Sequence, residues 1–486
     1  MTAFIESDVV VIGSGIGGAM AAYQLASKGK TVSVLEQGIR LSKEKIQQVF
    51  ESESFIGNRD VPTVPVEFLG NKKKNRPLPS AAGGLARFYA SVSLRMRERE
   101  FDRWPFSYAE IEPYYSQAEQ LMHISGKPGF DPCEPYRSHS YPHALPPMSD
   151  LSKRLSLGAE KLGMKPFQHP MAIHFEGGCV RCNFCNQVPC PYGVKWNPDS
   201  FLQEQKKLPI RFFERMSARK INFRLSGKEH RIDSITALNL ADGKEIFFRA
   251  KTFVLAGGAL LTPKLMLVSG LGDCNPLVGT HLMTHCLGLI VGFFPFQISA
   301  EHDFHKWWSV SDNYFDKEGN VRGLIQQDHL TTQKKIFAKI PRWLHPLVAR
   351  FYYNTCQLLA IAEDEPRLGN RVVVNGGRDN GGVLVQHEFT KKDCEKRDFL
   401  AGQAKKIMKR AGALVTFAFQ GKSVYHACGT CRMGESEADS VTNKNGLVWG
   451  TDNLYVTDAA TFPTSSGVNP SLTIAANALR IADTII

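Results

Sequence analysis

Two residues near the carboxyl end have the types needed to draw a proton from an alcohol while a hydride leaves its carbon. They are His426, in Val424-Tyr425-His426-Ala427-Cys428-Gly429-Thr430, and Asn469, in Gly467-Val468-Asn469-Pro470-Ser471. Hydride leaves a carbinol carbon more easily when the hydroxyl proton departs with it, and an imidazole titrating near neutrality suits that task. His426 is the candidate base. A carboxamide offers a donor and an acceptor, so Asn469 can hold the substrate oxygen. Asn469 followed by Pro470 also reads as a helix N-cap and first helical residue, because proline needs no amide donor there and Asn can accept an orphan N–H. The predicted helix runs from Pro470 to about Ile485. Its positive end would stabilise an acceptor that gains negative charge. A satisfied core histidine and a plain helix cap are the competing readings of these two residues.

The hydride acceptor needs a binding element, and the amino end supplies one. Asp8-Val9-Val10-Val11-Ile12 reads as a buried strand, Gly13-Ser14-Gly15-Ile16-Gly17-Gly18 as a tight turn, and Ala19 to Lys28 as a helix. Small residues at such a turn let the chain bend, let a diphosphate approach the backbone, and let helix and strand pack closely. The helix amides then bind the diphosphate. Lys30 to Glu36 is a second strand ending in an acid, placed to accept hydrogen bonds from both ribose hydroxyls and to repel a 2′-phosphate. A bare structural turn would explain the glycines alone, but the order strand, turn, helix, strand, acid argues for a dinucleotide.

Read together, the two ends resemble the glucose-methanol-choline (GMC) oxidoreductase family, which favours FAD over NAD. The resemblance extends through Ser80-Ala81-Ala82-Gly83-Gly84-Leu85, Trp104-Pro105-Phe106-Ser107-Tyr108, Val254-Leu255-Ala256-Gly257-Gly258-Ala259, Asn275-Pro276-Leu277-Val278-Gly279 and Glu363-Asp364-Glu365-Pro366. It implies that His426 is the catalytic histidine and Asn469 the second active-site residue, with hydride passing to flavin N5. It further implies FAD contacts at Gly83 and Gly84 in a flavin loop, at Ala256 and Gly257, at Asp458 and Ala459, and at Asn469, Pro470 and Thr473. Asp458 would touch the ribityl or diphosphate part. No histidine lies between Gly83 and Ser93, where some relatives attach the cofactor, so noncovalent FAD is expected.

Cys179, Cys182, Cys185 and Cys190 fall within twelve residues. Their spacing is near that of a bacterial ferredoxin run, with one residue too many before the last cysteine. An iron–sulfur cluster relaying electrons outward is one reading, and reduced thiols in a tight loop is the other. The segment resembles one found in sugar and polyol dehydrogenases of the family, which points to a sugar-like or polyol substrate. Two lesser pairs carry weaker signals. His281 and His285 have an i, i+4 metal-ligand spacing without an acid between them, and Cys428 and Cys431 read as packing thiols.

These sites must be assembled by 486 residues with 43% hydrophobic composition, enough for a substantial core and two domains. The expected class is α/β: a discontinuous Rossmann-like FAD-binding domain over 1–100, 175–285 and 440–486, with an inserted α+β substrate domain over 101–174 and 286–439. The insert should contain an antiparallel sheet and helices, including a strand over Leu384 to Phe389 and an amphipathic helix from Lys391 to Arg410. Substrate selectivity should reside in 286–439.

The chain enters its first strand without a secretory signal, and an odd total of 11 cysteines fits reduced thiols, so a cytoplasmic location is expected. The longest apolar run, Cys286 to Phe296, is too short for a transmembrane segment. Net charge is +12 and the pI about 9.1. No nucleic-acid-binding module accompanies that charge. Lys334 to Tyr353 alternates basic and large apolar residues, with Pro341 and Pro346 as kinks. It reads either as a lid or core helix, or as a surface for peripheral membrane or partner contact. The functional expectation is therefore FAD-dependent oxidation of an alcohol, the electron acceptor being oxygen, a quinone or a redox protein. Non-oxidative lyase or photoenzyme chemistry on the same fold, and oxidation of hydrophobic alcohols, are the alternatives.

Overall fold

The computed structural model describes residues 4–55, 58, 61–70, 75, 77–226, 229–300, 304–374, 382–421 and 426–485. Its first strand, Phe4–Ile12, lies at the centre of a seven-stranded sheet because Val9, Val10 and Val11 are apolar on both faces. It pairs in parallel with Val32–Leu35 on one side and Glu245–Leu255 on the other. Ile210–Phe213 and Leu454–Val456 extend the parallel portion, and Met216–Ser226 with Glu229–Asn239 close one side as an antiparallel hairpin. Segments from both ends of the chain thus meet in one sheet. The helices Ile16–Ser27, Tyr108–Leu121 and Ser471–Thr484 pack together on this sheet's flank.

A second sheet is antiparallel and six-stranded, in the order Val415–Gln420, Cys286–Phe293, Thr355–Ala362, Gly323–Asp328, Trp308–Val310, Phe167–Gln168. The run from Cys286 is one of its inner strands. The helix Lys391–Arg410 spans the predicted residues and begins with a capping box between Thr390 and Asp393. It covers one face of the sheet, seated on two glycines. A Cβ at Gly288 would meet Arg397 at 3.3 Å, and one at Gly292 would meet the Met408 sulfur at 2.8 Å.

Two local expectations need correction. The strand expected over Leu384 to Phe389 is Val383–Gln386, and it belongs to a separate three-stranded sheet with Val66–Phe68 and Arg371–Val373. It stops before His387 because that ring turns inward to Asp364, Nε2 to Oδ2 2.8 Å. The segment after Lys334 is neither a core helix nor one continuous helix. It consists of two short helices, Gln333–Phe337 and His345–Phe351, and none of their residues is buried. Among the described residues no helix is long and apolar enough to cross a membrane.

Candidate active site

The glycine turn is packed where its sequence pattern requires. A Cβ on Gly13 would lie 2.4 Å from the Ala256 carbonyl, one on Gly17 2.4 Å from that of Thr457, and one on Gly18 1.9 Å from that of Gly13. Gly15 is different: its Cβ would meet nothing within 4 Å, because it faces an open cavity. That cavity has a volume of about 710 Å³, within the usual range for small-molecule sites. Gly13, Gly15, Gly17, Glu36, Gly84, Ala256 and Gly257 line it on the nucleotide side. His426, Asp458, Ala459, Pro470 and Ser471 line it too, so the two ends of the chain share one chamber.

Glu36 sits at the end of its strand and holds the turn together. Its carboxylate accepts from Ser14 N at 3.1 Å, Ser14 Oγ at 2.6 Å and Gly38 N at 2.7 Å. Burial pushes its pKa up against these bonds. Ser14 Oγ in turn accepts from Gly83 N at 2.9 Å, fastening the flavin loop to the turn. The open backbone at Gly15 beside a buried acid is the arrangement an adenine dinucleotide requires, so these residues fit FAD.

His426 is the centre of the polar chemistry. Its Nδ1 lies 2.7 Å from Nδ1 of His285, whose Nε2 is 3.0 Å from the Ser465 carbonyl. A carbonyl only accepts, so His285 carries its proton on Nε2 and its Nδ1 is a lone pair. His426 must then donate through Nδ1. Its Nε2 is left as an unprotonated base. Burial holds His426 well below the ordinary 6.5, with the neighbouring His285 and Lys306 adding to the effect. Burial also lowers His285, to about 4, against the bonds it makes to the Ser465–Ser466 backbone. Both rings are therefore neutral at pH 7. Asp364 braces this pair: its carboxylate accepts from Thr284 N at 2.7 Å, and its own N donates to Ser465 Oγ at 2.9 Å.

His285 is the candidate site residue that sequence reasoning missed. It was legible only as half of an i, i+4 pair with His281, but the chain there is not helical and His281 has a left-handed φ of 57°. His281 instead bonds Thr280 Oγ1 at 2.9 Å. The other predicted residues divide. Asn469 does not cap the final helix by its side chain. The helix starts at Ser471 after Pro470, and Asn469 Oδ1 accepts from Gln326 Nε2 at 3.1 Å. Thr473 turns into the core, 2.8 Å from the Tyr115 hydroxyl, and does not line the cavity. Asp458 does line it, yet its carboxylate is already engaged by Gly258 N at 2.7 Å, Thr262 Oγ1 at 2.6 Å and Ala460 N at 2.7 Å. Val424 and Tyr425 lie outside the described residues.

The cysteine segment carries no observation in favour of a cluster. Cys179, Cys182, Cys185 and Cys190 are free thiols, and the described residues contain no group of three or more His, Cys, Asp or Glu side chains able to hold a metal ion. The buried Lys195 ammonium donates to the carbonyls of Tyr89 at 3.1 Å, Cys185 at 2.9 Å and Val188 at 2.8 Å. Burial pushes the thiols of Cys179, Cys182 and Cys185 up. Cys428 and Cys431 are buried packing thiols, the latter 3.7 Å from the Met266 sulfur.

A Rossmann-like sheet whose glycine turn shares a chamber with a neutral, tautomer-locked histidine belongs to an FAD-binding oxidoreductase. The chain belongs to the GMC oxidoreductase family: residues 76–287 and 362–478 match its N- and C-terminal models, and residues 11–44 match a NAD(P)-binding Rossmann-like domain. It is 28% identical to 6'''-hydroxyparomomycin C oxidase of Streptomyces lividus and 26% identical to paromamine 6'-oxidase of Streptomyces fradiae, in each case over 98% of this chain and 91% of the relative. The crystal structure of pyridoxine 4-oxidase from Mesorbium loti superposes with a TM-score of 0.72 at 16% identity, over 98% of both chains, which shows the shared fold. The chain is thus an enzyme of a family whose curated relatives include oxidases and dehydrogenases of alcohols.

Proposed function

We propose that this enzyme converts a substrate CH–OH group to a carbonyl, with His426 as base and Asn469 as the ligand of the substrate oxygen. The observation that carries the reading is the His426–His285–Ser465 chain, which leaves Nε2 of His426 as a lone pair. FAD, held noncovalently, supplies the two-electron acceptor. Its adenosine and diphosphate are assigned to Glu36 and the turn from Gly13 to Gly18, with Gly83, Gly84, Ala256, Gly257, Asp458, Ala459 and Pro470 along the rest of the cofactor. Asn469 has its oxygen engaged by Gln326, so its amide N–H groups remain to bind and orient the alkoxide-like oxygen that forms. His426 takes the hydroxyl proton at Nε2, and its depressed pKa lets it release that proton again. In this reading segments 1–100, 175–285 and 440–486 serve the cofactor, and 101–174 and 286–439 serve the substrate.

A sugar-like or polyol substrate is supported by relatives named as oxidases of 6'''-hydroxyparomomycin C and of paromamine. A second reading, a hydrophobic alcohol, is favoured by the substrate sheet. Gln326, which holds Asn469, is register partner to Leu359, Leu359 to Leu289, and Leu289 to Phe419, so an apolar row leads outward from the site on one sheet face. Anaerobic mixing of the holoenzyme with polyols, aminosugars and alkanols tests both. The alcohol that bleaches the oxidised flavin band identifies the class. If none does so, while light or a non-oxidative assay reports turnover, the lyase or photoenzyme alternative replaces this one. Reoxidation by oxygen, a quinone or a redox protein then assigns the acceptor.

A further inference from the structure

From Thr331 to Tyr353 no residue is buried, although the segment contains Trp343, Leu347 and Phe351. Trp343 is 76% exposed. A core helix or a closed lid would hide such side chains, since their transfer from water is strongly favourable. The same stretch carries five basic residues, Lys334, Lys335, Lys339, Arg342 and Arg350, and no Asp or Glu. Lys334 and Lys335 reach back to the Glu51 carbonyl and Gln187. Lys339, Arg342 and Arg350 make no hydrogen bond or ion pair among the described residues.

A second exposed surface adjoins this one. Val415–Gln420 is an edge strand, and its alternate residues Val415, Phe417 and Phe419 point to one face, Phe417 and Phe419 each 54% exposed. The link is Phe293, which is register partner to Val415 and whose ring lies 6.0 Å from that of Phe351. Phe351, the last residue of the helix that carries Leu347 and Arg350, therefore packs beside the exposed face of the edge strand. Bare apolar edges of this kind are a liability in water unless something covers them.

We propose that this face docks on an anionic lipid surface, with the side chains of Trp343, Leu347 and Phe417 at the acyl boundary and Arg342 and Arg350 among the headgroup phosphates. The chemistry matches both halves of the patch: apolar side chains gain burial, and the cations find lipid counter-charge. A second copy of the chain is the weaker occupant. A two-fold contact would set the same cations against each other, on a protein already at +12. A nucleic acid would neutralise the charge but leave the rings in water.

The test is sedimentation of the FAD-loaded protein with vesicles of phosphatidylglycerol and phosphatidylcholine, against phosphatidylcholine alone, at low and high salt. Binding to the anionic vesicles that weakens with salt is the expected result. The double variants Arg342→Glu/Arg350→Glu and Trp343→Ser/Leu347→Ser should each lower the partition coefficient about tenfold or more. Phe417→Ser, on the separate edge strand, should weaken binding in the same direction. All three should keep wild-type flavin absorbance and melting temperature, since the altered side chains are exposed. The proposal is overturned if no sedimentation with anionic vesicles occurs at low salt, or if the variants bind like the wild type. It is equally overturned if the protein dimerises without lipid and these same substitutions abolish the dimer.

Discussion

His426 sits in a left-handed backbone conformation, φ 62°. Its ring bonds that of His285, and the two rings should fail differently. His426→Ala should slow anaerobic flavin reduction by roughly 100- to 10,000-fold with FAD content unchanged, read by stopped-flow absorbance. Unaltered reduction in that variant would reject His426 as base. His285→Ala should cost less, roughly 10- to 100-fold, because Nε2 of His426 survives but its tautomer is no longer fixed. The pH dependence follows from the depressed pKa. A base works unprotonated, so the acid limb of kcat/KM should lie well below pH 6.5 in the wild type. In His285→Ala, where water replaces the neighbouring ring, that limb should move up toward 6.5. A limb that stays put would argue that another group titrates.

At the level of elements, close approaches decide what can be changed. Gly18 sits where the first helix crosses the first strand, and its missing Cβ would lie 1.9 Å from a backbone oxygen that cannot swing aside. Gly18→Ala should therefore cost about 1–3 kcal/mol by overpacking and lower FAD occupancy with it, measured by thermal melting and bound flavin absorbance. Arg95 makes a different kind of joint. Its buried guanidinium bonds Glu119 at 2.8 Å and Glu112 at 2.9 Å on the helix Tyr108–Leu121. Arg95→Ala would leave Glu119 to Arg137 and Glu112 to the hydrogen bonds of Ser116 and Ser138, and should still cost up to about 3–5 kcal/mol, the range for breaking a buried pair. A melting temperature close to wild type would show that Arg137, also on Glu119, suffices.

For the whole molecule, the cofactor chamber is the joint. Its walls come from residues near 15, 36, 84, 256, 426, 458 and 470, segments that no single element connects. Contacts such as Trp104 against Phe462, 5.1 Å between rings, and Tyr115 to Thr473 brace the chamber from behind. Ligand binding to the folded state alone stabilises it by mass action. With free FAD a hundredfold above its dissociation constant, the gain is about 2.7 kcal/mol. Stripping FAD should accordingly lower the melting temperature, and adding it back should restore the loss in a concentration-dependent way. An apoprotein that melts like the holoenzyme would mean the cavity is not where FAD binds.

The amino-acid sequence by itself determined what depends on neighbours along the chain. The strand, glycine turn and helix at Val9 to Lys28, the acid at Glu36 and the helix Lys391–Arg410 follow from periodicity, turn chemistry and capping, which act over a few residues. The order strand, glycine turn, helix, strand and acid, joined to the family resemblance, made the dinucleotide cofactor and the oxidoreductase class legible. The tertiary structure alone decided the rest. His285 meets His426 across 141 positions and Gln326 meets Asn469 across 143, and no spacing rule reaches that far. Whether the side chains near Trp343 are core or surface depended on burial, which is a property of the folded assembly and not of any local pattern.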